Sequence, residues 1–243
     1  MNKFIAVLFL TSMSSGLQGM DAMSAGLQGM GSVVVKFGDV EPMKGTGCGD
    51  VRVLASNKKF SLAHARQEGR GDWHVHDTFT EFYHCTGGKG VVYWSEDEEI
   101  SIEKGDVVEI PPGQHHGLGV EEEGGFVEVL VACHPIFNLE TTRVLQNVAS
   151  SGRKKVTPPN LHKKKLYDLR GAVEGYPAEV LTYTGGRQAY AQDAARLLYV
   201  LGGEGRLVVP RNPQTELETG DSVALEPGAM VTGQNFEFLS IGE

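Results

Sequence analysis

From Ser32 onward the chain alternates short apolar runs with glycine- and proline-bearing breaks. Val33-Val34-Val35-Lys36-Phe37 and Val51-Arg52-Val53-Leu54-Ala55 are rich in β-branched residues and lie either side of such a break, which reads as two strands and a loop. The same reasoning predicts strands over 60–66, 73–76, 81–86, 90–94, 100–103, 106–110, 116–120 and 126–133. Asn138 is a capping residue, and Leu139, Thr142, Leu145 and Val148 fall near one face, so a short helix is predicted from there to about 148. Residues 150–159 read as linker. Strands resume over 165–169, 178–184, 196–201, 205–209, 222–225 and 236–241. Short strands at regular intervals joined by turns predict an all-β sandwich or barrel.

The pattern repeats. A shift of 115 positions carries Gly87-Gly88-Lys89-Gly90 onto Gly202-Gly203-Glu204-Gly205, Gly105-Asp106 onto Gly220-Asp221, and Pro112-Gly113 onto Pro227-Gly228, without a gap. A constant offset that preserves turn residues is the signature of a duplicated unit.

Within the first copy, His74-Val75-His76 is followed by Glu81, and a second block runs Gly105-Asp106-Val107-Val108-Glu109-Ile110-Pro111-Pro112-Gly113-Gln114-His115-His116. Side chains at i and i+2 of a strand share a face, so His74 and His76 can grip one ion together. Glu81 lies past a short polar turn, where a returning strand can present it to the same point. Pro111-Pro112-Gly113 is a tight-turn sequence that stops one strand and sends the chain back, letting His116 face inward. Three imidazoles and one carboxylate suit a divalent first-row metal such as Fe, Mn, Ni, Cu or Zn.

These two blocks resemble the paired motifs of the cupin superfamily, G-x5-H-x-H-x3,4-E-x6-G and G-x5-P-x-G-x2-H-x3-N. The first runs from His74 through Glu81 to Gly88, with Gly69 near its opening position. The second runs from Gly105 to His116, with Val120 where the family has Asn. The resemblance implies metal ligands at His74, His76, Glu81 and His116, and a fold of two tandem cupin (jelly-roll) β-barrels. The 115-residue shift places Ala189, Ala191, Arg196 and Val231 at the four ligand positions of the second copy. The second barrel is thus expected to keep the architecture without the site, and to prop, lid or dimerise the first. The expected organisation is a leader or low-complexity segment over 1–30, a metal-binding barrel over 31–138, a linker with a short helix over 139–164, and a degenerate barrel over 165–243.

Composition narrows the partners. A net charge of −9 and a pI near 5.4 argue against binding nucleic acid or an anionic membrane, since both need a basic footprint. Lys163-Lys164-Lys165 reads as a solvated local run. Cys48, Cys85 and Cys133 are odd in number and widely spaced, which fits free thiols in a reducing compartment. Against this, the apolar run 4–10 has the minimum length of a signal-peptide core and is far too short to span a bilayer. Ser15-Gly16-Leu17-Gln18-Gly19-Met20 recurs nearly unchanged at 25–30, so the segment reads either as a targeting leader or as an upstream extension with Met30 as the start. A small-molecule substrate and a homodimer are the expected partners.

The strand faces predict the pocket. From Glu81, Tyr83 and Cys85 share its face, whereas Phe82 and His84 face away. With Glu128 to solvent, Val127, Val129, Val131 and Cys133 turn inward. His64 and Arg66 share a face and are expected near the mouth. The cupin resemblance implies dioxygenases, oxalate enzymes, isomerases and lyases for such ligands. An apolar lining favours a small enol, diketone or phenol, with iron as the metal, Glu81 as a base and Tyr83 as a second catalytic group. A metal-dependent isomerase or lyase, or a non-enzymatic metal or small-molecule binder, is the alternative.

Overall fold

The computed structural model describes residues 32–45, 47–94, 98–145, 162–165, 178–183, 188–191, 195–209 and 213–242, with only the backbone described over 162–165, 178–183 and 188–191. The strands are β1 (Val33–Val35), β2 (Met43–Lys44), β3 (Asp50–Ser56), β4 (Ser61–Gln67), β5 (His74–His76), β6 (Thr80–Tyr93), β7 (Glu99–Glu103), β8 (Asp106–Ile110), β9 (Gly117–Val120), β10 (Val127–His134) and β11 (Thr142–Val144). They continue as β12 (His162–Lys165), β13 (Ala178–Tyr183), β14 (Gln188–Ala191), β15 (Arg196–Val208), β16 (Thr215–Leu217), β17 (Ser222–Leu225) and β18 (Met230–Ile241). Helical structure among the described residues is limited to the 3-10 turns Phe37–Asp39 and Leu139–Thr141.

Among the described residues all strand pairing is antiparallel. One sheet runs β12-β8-β6-β10-β4-β3-β2, with β7 and β9 on the far half of β6; a second runs β1-β17-β15-β18-β13, with β14 on β18 and β16 on β15; and β11 and β5 form a two-stranded third. The predicted strands 81–86 and 90–94 are one bent strand, β6. Its near half pairs with β8 and its far half with β7 and β9. Its pairing register shifts between Cys85 and Gly87, and just beyond lies Gly88, whose φ of +68° and close approach to the Phe126 carbonyl admit no side chain. Predicted strands 196–201 and 205–209 fuse likewise into β15, bent at Gly203 with φ +80°.

The duplication extends to register. Glu81 pairs with Ile110 and Phe82 with Glu109; 115 positions on, Arg196 pairs with Leu225 and Leu197 with Ala224. The Gly105 amide donates to the Cys85 carbonyl at 2.9 Å, and the Gly220 amide to the Val200 carbonyl at 2.9 Å. Asp106 accepts from the Glu103 amide at 2.9 Å, and Asp221 from the Glu218 amide at 2.8 Å. The turn glycines 105/220 and 113/228 all have positive φ.

Side-chain alternation then divides the interior into three. Tyr83 and Cys85 point into the first half, with Val108, Ile110, Val127, Val129, Val131 and Cys133. Their counterparts Leu198 and Val200 point into the second, with Phe236 and Phe238. The opposite faces, Phe82 and Leu130 from one half and Leu197, Tyr199 and Leu239 from the other, pack together as a shared core. The period of two along a strand thus gives each half its own interior and a joint one.

Three expectations need correcting. The predicted helix from Asn138 is a single 3-10 turn followed by β11, because residues 142–144 find a strand partner in β5. Tertiary pairing overrides the short amphipathic pattern. β1, assigned to the first barrel, pairs with β17 in the second half. Lys36 fixes it there, reaching the buried Asp221 carboxylate at 2.6 Å and the Glu216 carbonyl at 2.7 Å. Conversely β12, expected as linker, pairs with β8 in the first half.

His84, buried between the halves, has its pKa pushed down to about 4 by desolvation, despite contact with the Leu130 carbonyl. The unfolded chain therefore takes up this proton first as pH falls. Stability from His84 is complete above about pH 6.5 and is lost by roughly 3 kcal/mol on the way to pH 4. Urea midpoints of the His84→Leu variant should decline less over that range than those of the wild type. Equal declines would contradict a buried neutral imidazole at this position.

Candidate metal centre

The side chains of the His-x-His…Glu…His group are delivered by three neighbouring segments: β5, the start of β6 and the turn before β9. His74 and His76 stand on the same face of β5, both buried. The His74 amide donates to the His116 carbonyl at 2.9 Å and the His116 amide returns a bond to the His74 carbonyl at 3.0 Å, so the two residues are locked side by side. The turn at Pro111-Pro112-Gly113 is tied to β5 by the Gly113 amide, 2.7 Å from the His76 carbonyl. Glu81 opens β6 between Ile110 and Cys133.

The four groups offer ligand atoms that all lie within 4.8 Å of one another, and all four residues are buried. Glu81 Oε2 is 2.9 Å from His116 Nε2 and 3.2 Å from His76 Nε2. The three Nδ1 atoms point outward to fixed partners: the Asp72 carbonyl at 3.1 Å from His74, Thr142 Oγ1 at 3.0 Å from His76, and the Gln114 carbonyl at 3.0 Å from His116. Carbonyls only accept, so Nδ1 of His74 and His116 carries the proton and Nε2 is left as a lone pair aimed inward.

That arrangement fits a cation. A carboxylate also only accepts, so without an extra proton a lone-pair Nε2 and Glu81 Oε2 face each other as acceptor against acceptor. A metal ion placed among them satisfies both. His74 Nε2 is buried with no hydrogen-bond partner, and so is the Tyr83 hydroxyl, which lies beside Glu81 and Cys48. Orphaned buried polar atoms are costly unless a ligand completes them. Desolvation, followed by the neighbouring His116, pushes the His74 pKa down to about 3. Burial alone would raise the Glu81 carboxyl, but His76 and His116 outweigh it and hold it well below the usual carboxylate range. His74 is therefore held as a neutral imidazole and Glu81 as an ionised carboxylate, the forms that bind divalent metals.

The wall follows the predicted faces: Tyr83, Cys85 and Cys133 point inward with the valines of β10. Burial pushes the Cys48 thiol up to about 12 and the Cys85 thiol up to about 11. Both are small apolar wall residues rather than thiolates. His64 and Arg66 do not lie at the mouth. They occupy the opposite face of β4, where His64 meets Phe37 at 5.0 Å and Arg66 pairs with Glu128 at 2.9 Å. Their side-chain parity, opposite to that of Ala63 and Ala65, sends them outward.

Several wall residues carry no motif signal. Phe79 stacks at 4.3 Å from His76, and Phe137 lies 6.1 Å from it. Gly47, at φ +78°, is pressed so closely on the His74 ring that a Cβ would collide with Nδ1. Cys48 next to it reaches the interior through a glycine-flanked loop. Such loop positions have no periodicity to betray them.

In the second half, Arg196 reaches toward the Gly242 carbonyl and Val231 is buried among Leu207, Phe236 and Phe238. Tyr190, rather than Ala189, stands opposite Val231, one register step from the His74–His116 pairing. Among the described residues, the four-residue group of the first half is the sole cluster able to hold a metal.

The chain is similar to known proteins in its fold. The profile of the AraC-like ligand binding domain matches residues 58–161, a span that contains all four residues. The protein Ylba from E. coli shares 12% identity over 86% of this chain and 89% of its own, with a TM-score of 0.62. An oxalate decarboxylase variant from Bacillus subtilis shares 14% over 88% of this chain and 77% of its own, also at 0.62. A further structure, of the Mn(II) centres of the same B. subtilis enzyme, gives 12%, 88%, 77% and 0.59. No curated protein matches the chain. At these identities the likeness is one of fold: an all-β, cupin-type jelly roll.

Purified without chelators, the protein should carry about one transition-metal ion per chain by elemental analysis. His76→Ala should lose most of it, and Arg196→Ala none. Two tightly held ions per chain would contradict a single centre.

Proposed function

We propose that the protein is a metal-dependent bicupin enzyme with one working barrel, in which His74, His76, Glu81 and His116 bind a divalent metal, with iron as the first choice. The second half is a scaffold that has lost its site. The reaction proposed is a dioxygenase-type oxidation of a small enol, diketone or phenol. One observation carries this reading: the four ligand groups sit in an apolar interior with the Tyr83 hydroxyl unpartnered beside them, and among the described residues no lysine or arginine is buried. A polyanionic substrate would need such a cation. A neutral, oxygen-bearing molecule does not.

Bound iron would supply open coordination positions and electrons for O₂ chemistry. The chain's own residues do the rest. Glu81 holds negative charge against the three imidazoles and is placed to take a substrate proton. Tyr83, with burial, then Glu81, pushing its pKa well above the usual phenol value, stays protonated and can donate a hydrogen bond to a substrate oxygen. Phe79, Phe137, Val131 and Cys133 keep bulk water from the reacting atoms.

The oxalate decarboxylase likeness supports a lyase as the second reading, and the AraC-like match supports a binding module as the third. Oxygen uptake by the Fe(II)-loaded protein over a panel of enols, diketones and phenols separates them. Substrate-dependent uptake is expected in the wild type. Glu81→Gln should keep part of the metal and lose most turnover, while Tyr83→Phe should cost roughly 10- to 100-fold. Consumption without oxygen would favour the lyase. Tight binding with no turnover, or full turnover in Glu81→Gln at full metal loading, would defeat the oxygenase.

A further inference from the structure

Two of the three imidazoles are oriented by backbone carbonyls, which no substitution removes. His76 alone is held by a side chain, and that side chain comes from an element 66 positions away, Thr142 on β11. A hydroxyl is ambiguous, since it can donate or accept. Here its single proton is already spent: Thr142 Oγ1 donates to the Asn138 carbonyl at 2.9 Å. The oxygen must therefore accept from His76 Nδ1–H, which leaves the Nε2 lone pair facing Glu81.

The segment that carries Thr142 is itself fastened across the back of β5. β11 pairs residue for residue with β5, Thr142 standing opposite His76 and Val144 opposite His74. The Asn138 side chain accepts from the Glu140 amide at 2.9 Å and shapes the turn. The Asp77 amide donates to the Thr141 carbonyl at 2.9 Å, and Thr78 and Thr141 share a hydroxyl contact at 2.8 Å. Arg143 closes the end with a two-pronged pair on Asp77, at 2.8 and 3.0 Å.

We infer that Thr142 is a positioning residue of the metal centre: it fixes the tautomer and ring angle of His76 through the relay His76 Nδ1–H, Thr142 Oγ1–H, Asn138 carbonyl. The inference rests on the metal-binding reading of the site, but not on any reaction. It assigns a role to the segment just beyond the barrel, which carries none of the paired motifs. It also makes metal affinity depend on how that segment lies against β5.

Cobalt(II) titration, followed by its visible absorption, tests this. Thr142→Val keeps the branched shape but has no hydroxyl. It should weaken cobalt binding about 10- to 100-fold and shift the visible bands. Thr142→Ser, which restores the oxygen, should recover both affinity and spectrum. Wild-type affinity and spectrum in Thr142→Val would overturn the inference, as would a Thr142→Ser protein as weak as Thr142→Val. A lowered metal-free midpoint in Thr142→Val with cobalt affinity and spectrum unchanged would overturn it in favour of a purely structural role. A wild-type protein that takes up no cobalt would defeat the metal-centre reading along with it, whereas loss of the Thr142 effect alone leaves that reading standing.

Discussion

Three imidazoles and one carboxylate share a buried space in which every ligand atom lies within 4.8 Å of the others. Groups that only accept hydrogen bonds sit on both sides of the His116 ring, and His74 Nε2 is buried with no hydrogen-bond partner, so the cluster is electrostatically incomplete by itself. A cation resolves the conflict, and most of the local architecture reads as the means of holding that conflict in place. The reciprocal His74–His116 backbone pair, the Pro-Pro-Gly turn tied to β5, and Gly47 pressed against the His74 ring all fix where the imidazoles can be. Buried polar networks of this kind are costly when half satisfied and stable when complete.

The second half shows which parts of that architecture serve the fold rather than the metal. Its bend glycine, its Gly-Asp turn and its strand register match those of the first half at a constant offset. Among the described residues, apolar side chains including Phe236 and Phe238 fill its core. Stacking the Phe82 face against the Leu197–Tyr199 face buries apolar surface from both halves. At about 25 cal/mol per Å² this favours one cooperative unit over two independent barrels. The exchange of β1 and β12 ties the halves further, each strand lying in the sheet of the other half.

Much of this was legible in the residues. Period-two alternation assigned Tyr83 and Cys85 to the interior and Phe82 and His84 to the opposite face. Glycine and proline marked the bends and turns at Gly88, Gly105 and Pro112-Gly113, because few other residues adopt those conformations. Ligand-type residues at strand spacing pointed to one cluster. The misses have a common cause. The partners of β1, β11 and β12 are set by tertiary pairing, which leaves no trace in local patterning. Lys36 finds its carboxylate 185 positions away. Cys48 and Phe137 reach the site from loops without periodicity. His64 and Arg66 were given the right shared face but the wrong side of the sheet. The leader and the ten-residue duplication before Met30 lie outside the described residues.

The central claim is that one divalent metal is held by three imidazoles and a carboxylate, with the neighbouring thiols left out. X-ray absorption of the metal-loaded protein reads the first coordination shell directly. The account predicts only nitrogen and oxygen neighbours at about 2.0–2.2 Å, with the multiple-scattering pattern of three imidazole rings. A sulfur neighbour near about 2.3 Å, from Cys48 or Cys133, or a pattern with fewer than three imidazoles, would contradict it.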